Sequence, residues 1–349
     1  MNAEPLVQYA TTSDGVRIAF WVIGEGPTLL HLPPFPLGHL LVEWENPANR
    51  SYFERLAEGH TLIRYDSRGA GLSDREVTDY SQAALLRDAE AVVEQLGLES
   101  FALLGFAHSG STAIAYAAAN PGRVSHLVLW HSYARTSDVT NISRIEAARS
   151  LIKRDWNMYT EVEGYRVSGW AGGRAARWYS EYVRQSTTPE GLIAAYASIS
   201  NVDVTEMLPK VQAPTLVLAR RESEVLPIAV ARGLSAAIPN ARLVLLEGTG
   251  VIPFPDVMEQ FVGAVQDFLA EAPASSVESG PAETAPSSLT RRESEIIRLI
   301  AAGRTSSEIS RELSLSVRTV GRHITNIYTK ISARTRADAT AYAIRNGLA

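Results

Sequence analysis

Residues 271 to 288, EAPASSVESGPAETAPSS, hold three Pro, five Ser, four Ala, three Glu and a single sizeable apolar side chain, Val277. A stretch of this kind buries too little to offset the entropy of ordering it, so it predicts a flexible, partly extended linker. It cuts the chain of 349 residues into a larger part, 1–270, and a smaller one, 289–349. Charge divides along the same line. From Leu289 to Ala349 there are eleven Arg or Lys against five Asp or Glu, a balance of +6, while the other 288 residues carry 22 basic and 33 acidic groups, a balance of −11. A small basic end joined to an acidic body points to a polyanion partner for the end alone.

The chain has no cysteine. Disulfide frameworks, thiolate nucleophiles and cysteine-based zinc sites are thereby excluded, and a reducing compartment fits. Apolar residues make up 46% and charged residues 20%, with no apolar run near the roughly 18 residues that a membrane span needs. The first twenty residues, MNAEPLVQYATTSDGVRIAF, lack the basic end and apolar stretch of a secretion signal,. The expectation is a cytoplasmic protein that uses no membrane, metal or cofactor.

In the body, short apolar runs alternate with helical stretches. Strands are predicted at Val16–Val22, Thr28–Leu32, Thr61–Tyr65, Phe101–Leu104, His126–Trp130, Thr215–Leu218 and Arg242–Leu246. Helices are predicted at Ser81–Leu96, Ser109–Ala119, Ile228–Ala237 and Val257–Leu269. This order implies an α/β domain with a mostly parallel sheet covered on both faces, whose ligands meet the carboxyl ends of the strands. From about 135 to 206 helical stretches replace the alternation and bring Trp156, Tyr159, Tyr165, Trp170, Trp178, Tyr179, Tyr182 and Tyr196. An insertion between sheet strands reads as a helical lid. Its aromatics serve either as core or as cavity wall.

The segment FALLGFAHSGSTAIAYAAANPGRVSHLVLW, residues 101 to 130, runs strand, sharp turn, small-residue helix, Asn-Pro stop, strand. With YDSRGAGLSD (65 to 74) and PTLVLARRESEVLP (214 to 227) it closely resembles the α/β-hydrolase family, over about residues 5 to 270. In that family the nucleophile is the centre of G-x-S-x-G, followed along the chain by an acid and then a histidine. The resemblance puts Ala107 at the nucleophile position within Gly105-Phe106-Ala107-His108-Ser109, Ser223 at the acid position beside Glu222, and Val251 at the histidine position. A methyl group cannot attack a carbonyl. The seven histidines are 31, 39, 60, 108, 126, 131 and 323, and none falls between Trp156 and Ser288, so a triad closing on a late histidine cannot be assembled,.

A second register, Ala107-His108-Ser109-Gly110-Ser111, would make Ser109 the nucleophile of an active serine hydrolase with a non-standard triad. It shortens the spacing from the elbow to Pro121 from 14 to 12 residues and leaves no base in the expected place. Where the family has a His-Gly pair for the oxyanion, this chain has Pro33-Pro34-Phe35-Pro36. Proline offers no N–H, which leaves the amides of Phe35 and His108. The expected ligand wall is Pro34, Phe35, Phe106, Ala107, His108, His131, Trp156 and Val251. Each of these also has a plain reading as packing or a satisfied loop group. Arg220 and Arg221 are expected to be a solvated pair, with an anion clamp as the other option, and Asp66 and Arg68 to be structural.

Residues 289 to 349 divide into four short helices. Thr290 with Glu293, and Thr305 with Glu308, have capping-box spacing, and Gly303 stops the first helix,. In the third helix Val317, Val320, Ile324, Ile327 and Ile331 make a buried stripe, and Arg318, Thr319, Arg322, His323, Asn326 and Lys330 face the other way,. A tight turn at Ser314–Ser316 before this helix makes a helix-turn-helix. The segment resembles the LuxR-type DNA-binding domain over its whole length, through L-T-x-R-E, S-x-R-T-V-x-x-H-I-x-N-I-Y and R-x-x-A-x-A-Y-A. The resemblance implies that 306–325 is the helix-turn-helix, that double-stranded DNA is the partner and that the last helix, Arg336–Asn346, forms a homodimer surface. Arg318, Arg322 and Lys330 suit phosphates; Thr319, Arg322 and His323 suit base edges.

Together the halves predict a ligand-responsive transcription regulator that senses a small apolar molecule in a catalytically silent hydrolase pocket. An active serine hydrolase using Ser109 and a ligandless dimerisation scaffold are the alternatives.

Overall fold

The fold is that of a computed structural model, which describes residues 4–139, 142–168, 173–223, 225–248, 258–271, 291–313, 317–330, 336–345 and 348. For 142–145, 291, 317, 318, 322, 325, 329, 330, 337, 338, 341, 344 and 345 the description covers the backbone alone. The chain divides into two compact units, Met1–Ser275 and Ser276–Ala349.

The first unit opens with β1 (Gln8–Thr11), β2 (Arg17–Ile23) and β3 (Thr28–His31), then α1 (Leu40–Glu45), α2 (Pro47–Leu56) and β4 (Thr61–Tyr65). It continues with α3 (Gln82–Gln95), β5 (Phe101–Phe106), α4 (His108–Ala119) and β6 (Val124–Trp130). Four helices follow before the next strand: α5 (Ile142–Arg149), α6 (Trp156–Ser168), α7 (Gly173–Ser186) and α8 (Pro189–Ile199). The unit ends with β7 (Thr215–Arg220), α9 (Ile228–Ala237), β8 (Ala241–Leu246) and α10 (Met258–Leu269). Among the described residues the strands form one sheet in the order β1-β2-β4-β3-β5-β6-β7-β8. The pairs β1/β2 and β2/β4 are antiparallel and the rest are parallel.

Successive residues of a strand face opposite sides of the sheet, so continuous apolar runs such as Leu29-Leu30 and Leu103-Leu104 feed two cores at once. Leu30 and Leu103 pack with Val92 of α3, Ile114 of α4 and Leu234 of α9. Leu29 and Leu104 pack on the other face with Phe53 of α2 and Phe261 and Val265 of α10. Helices on both faces explain why the central strands carry no polar alternation.

Three elements differ from the expectation. β1 is a short edge strand, QYAT, with one buried residue. The helices α1 and α2 lie in a stretch for which no element is predicted; Asn46 caps α2 by accepting from the Ala48 and Asn49 amides, and Pro47 occupies its first turn,. At the far end of the unit α10 makes two attachments. Phe261 meets the Trp130 ring edge-on at 5.1 Å. Beyond its last turn, Glu271 accepts a hydrogen bond from His126 Nε2 at its carbonyl (3.0 Å) and an ion pair from Arg242 at its carboxylate (2.7 Å).

The second unit comprises α11 (Arg291–Ala301), α12 (Ser306–Glu312), α13 (Val317–Lys330) and α14 (Arg336–Arg345). Ile296, Ile297, Ile300, Ile309, Val320, Ile327, Ala339 and Ala343 form its core, drawn from all four helices. Gly303, at φ +80°, ends α11, with its amide bonded to Ile300 O and the Arg304 amide to Leu299 O,.

Candidate functional site

Between β5 and α4 the chain turns at Ala107, which adopts φ 50° and ψ −116°. A residue with a Cβ held in this region costs on the order of 1–3 kcal/mol. Surrounding contacts impose it. The Ala107 amide donates to Trp130 O (3.0 Å) and its carbonyl accepts from the Gly110 amide (3.1 Å). A Cβ at Gly105 would fall 2.7 Å from Gly110 Cα, and one at Gly110 would fall 2.0 Å from Ser132 Oγ, so both glycines are required by close approach,. Ser109, buried behind the turn, uses its hydroxyl both ways on one residue: it accepts from the Phe106 amide and donates to Phe106 O, each at 2.9 Å.

Two imidazoles flank Ala107. His108 opens α4, lies 3.2 Å from the Tyr133 hydroxyl through Nδ1, and packs against the Phe35 ring at 5.6 Å. His131 follows β6 at φ 48°. Burial pushes both pKa values down to about 4, helped at His131 by the charge of Arg220. Both rings are therefore neutral at pH 7. The Nε2 atoms of both are buried without a hydrogen-bond partner among the described residues.

These groups line a cavity of about 270 Å³ at the carboxyl ends of β3, β5 and β6, roofed by α5 to α8. Phe35, Leu104, Phe106 and Trp130 supply apolar wall. The opposite side holds charge. Arg64 of β4 donates through Nη2 to both oxygens of Glu43 of α1 (3.0 and 2.8 Å), and Tyr182 of α7 donates to Glu43 Oε1 (2.6 Å). All three are nearly inaccessible to solvent. In the roof, Arg166 pairs with Glu163, and the Tyr159 and Tyr196 hydroxyls meet at 3.2 Å. Asn49 Oδ1 and Arg64 Nε, on residues of the same wall, are also buried without partners among the described residues.

In the second unit Thr305 caps α12 reciprocally: its hydroxyl accepts from the Glu308 amide, and Glu308 accepts from the Thr305 amide at 2.7 Å,. In α13 Val320 and Ile327 are fully buried and Ile324 packs against the same core. On its other side Thr319 and His323 are half-buried and Asn326 is exposed. Arg318, Arg322 and Lys330 lie on this helix, their side chains outside the described residues.

Residues 35–256 match the family described as alpha/beta hydrolase fold. The chain belongs to that family. Residues 287–343 match a second one, bacterial regulatory proteins of the luxR family. The putative carbamate hydrolase RutD of Caulobacter sp. is 27% identical over 216 residues, 60% of this chain and 80% of that protein. The transcriptional regulatory protein LiaR of Bacillus subtilis is 51% identical over 61 residues, 18% of this chain and 29% of LiaR. An esterase from Exiguobacterium antarcticum superposes with a TM-score of 0.67 at 23% identity, covering 76% of this chain and all of the esterase, a likeness of fold. The chain thus joins an alpha/beta hydrolase domain to a luxR-type DNA-binding domain.

Within this hydrolase-fold domain, six of the eight expected wall residues line the cavity: Pro34, Phe35, Phe106, Ala107, His108 and His131. Trp156 does not. It stacks at 5.6 Å on the outer side of Tyr159, and Tyr159 takes the wall position. Val251 lies outside the described residues, as do Thr290 and the turn Ser314–Ser316. The Phe35 amide is engaged with Pro33 O at 2.8 Å, leaving His108 at the helix start,. Ser223 accepts from the Val225 and Leu226 amides, so its hydroxyl closes a turn before α9.

Arg220 overturns the expectation of a solvated pair: it is fully buried, donates to Glu247 O (2.6 Å) and lies 5.7 Å from the Trp130 ring, while Arg221 is half exposed and pairs with Glu247. Asp66 accepts from the Leu40 and Leu72 amides, and burial raises its pKa to about 7. Glu43, Asn49, Tyr52 and Arg64 were missed. For Glu43 and Arg64 the signal is a charge inside an apolar run, in LLVEWE and TLIRY; Asn49 and Tyr52, in PANRSYFERL, carry no such signal.

Proposed function

We propose that this chain is a ligand-responsive transcription regulator in which the alpha/beta hydrolase domain binds a small, largely apolar molecule and performs no hydrolysis. The observation that carries the reading is Ala107: the strained turn is kept, at φ 50°, facing a cavity, with a methyl group at its apex. A cavity of about 150 Å³ holds benzene, so this one has room for a ring with a substituent. The luxR-type domain supplies the DNA-binding output, and two copies of the chain would present two recognition helices to adjacent half-sites. The ligand acts by binding one arrangement of the protein more tightly than another.

Ser109 speaks for the same reading, since both of its hydrogen bonds close on Phe106 and it does not line the cavity. The deciding experiment pairs fluorophosphonate labelling with turnover of p-nitrophenyl esters, and neither reaction is expected. Labelling abolished by Ser109→Ala would establish an active hydrolase instead. On the output side, Arg322→Ala should weaken binding to a duplex selected from a random pool by about 1–3 kcal/mol. Affinity should fall with salt at a slope of about −0.9 per phosphate contacted. Unchanged binding in the variant, or a flat salt response, would remove that face from the DNA interface.

A further inference from the structure

The cavity wall carries five formal charges. Two pairs cancel: Glu43 with Arg64 and Glu163 with Arg166. The fifth is Arg149, the last residue of α5. Its guanidinium lies 3.7 Å over the Tyr196 ring, and it forms no ion pair among the described residues. Arg149 and Tyr196 also line a shallow groove with Ile152, Lys153 and Ile193 on the outer side, so Arg149 stands where the cavity meets that groove. The three histidines of the wall, at positions 31, 108 and 131, have pKa values pushed far down by burial and add no positive charge at pH 7.

We infer that the guest is an amphipathic monoanion, a carboxylic acid with an aromatic or aliphatic body, seated with its carboxylate on Arg149 and its body against Phe106 and Trp130. This rests on the reading of the cavity as a ligand site and names the class of ligand. One unmatched cation in a wall of rings and aliphatic groups favours one anion, and a planar guanidinium already stacked on Tyr196 is pre-oriented to meet a carboxylate in two parallel bonds. Position decides the polarity of the guest. The charged end stays at the mouth and the apolar body takes the interior. The buried Nε2 atoms of His108 and His131, partnerless among the described residues, offer neutral donor or acceptor positions further in. A hydroxyl or keto oxygen on the body of the acid would satisfy them.

The test uses the full chain with two matched pairs of probes, phenylacetate with phenylacetamide and 4-phenylbutyrate with 4-phenylbutyramide, read by quenching of tryptophan fluorescence and by melting shift. The acids should bind more tightly than their amides. Arg149→Met should lower the affinity for the acids by about tenfold to a hundredfold, leave the amides unchanged, and be only partly rescued by Arg149→Lys, which restores the charge but not the two parallel bonds. Amides binding as tightly as acids, or acid affinity unaltered in Arg149→Met, would overturn the inference and leave the ligand site standing. Failure of all four probes to bind would count against both.

Discussion

The two walls of the cavity differ in what they do with polarity. Around Ala107 the backbone is strained and the apex side chain inert: the turn holds φ 50° with a methyl group, and the hydroxyl of Ser109, two residues on, is spent on Phe106. Across the cavity, Glu43, Arg64 and Tyr182 form a buried, charged and hydrogen-bonded cluster. Strain without a reactive group has no chemical use, whereas a buried ion pair has a binding use if a guest must be oriented. The contrast teaches that backbone strain and buried charge can be separated within one chamber.

The largest effect expected on this contrast is at the charged wall. Glu43→Ala strands the Arg64 guanidinium in the interior, and a buried pair broken on one side costs about 3–5 kcal/mol. Urea unfolding of the variant measures it. A loss below 1 kcal/mol would mean that the cluster is solvated and the contrast false. The double variant Glu43→Leu with Arg64→Met should recover most of the loss, because no charge is left unpaired.

Acid is the next probe. His108 and His131 have folded pKa values near 4, below the ordinary histidine value of 6.5. Between those limits the unfolded chain takes up protons that the folded chain refuses, so stability is lost as pH falls from 6.5 towards 4 and the loss is complete below about 4. Each ring contributes a slope of about 1.4 kcal/mol per pH unit within that window. Asp66 acts in the opposite sense, since its raised pKa of about 7 favours the folded state as pH falls. Unfolding free energies across pH 4 to 6.5 should therefore show a shallower slope for His108→Asn than for the parent chain; identical slopes would mean that His108 is hydrated.

The smallest effect sharpens the inert wall. Ala107→Gly removes the Cβ from a positive-φ turn and should raise stability by about 1 kcal/mol, seen as a higher melting temperature. Ala107→Ser should leave the protein without esterase turnover, because a hydroxyl alone lacks a base. Turnover in that variant would mean that His108 or His131 serves as one.

Much of this was legible in the sequence, for identifiable reasons. The turn at Ala107 is bracketed by Gly105, the small residues of α4 and the Asn120-Pro121 stop, each demanded by local geometry. The central strands are buried on both faces and announce themselves as unbroken apolar runs. What escaped depends on tertiary direction. QYAT pairs at an edge and buries one residue, too little for a pattern. Trp156 and Tyr159 lie three apart on α6, and only packing decides which of them faces inward. Arg220 ends a strand whose neighbours close over it, and a terminal arginine reads as solvent-facing unless the partner at Glu247 is known. The paired charges of Glu43 and Arg64 sit 21 residues apart, each anomalous alone and intelligible only together.

The twelve residues of α10 span about 18 Å,. Phe261, in the first turn, leans on Trp130, a panel of the chamber, and just past the last turn Glu271 is clasped by His126 and Arg242. One rod thus has its head against a panel of the cavity and its foot beside the last described residue of the first unit. Removing either attachment would loosen one end of the rod and leave the other held.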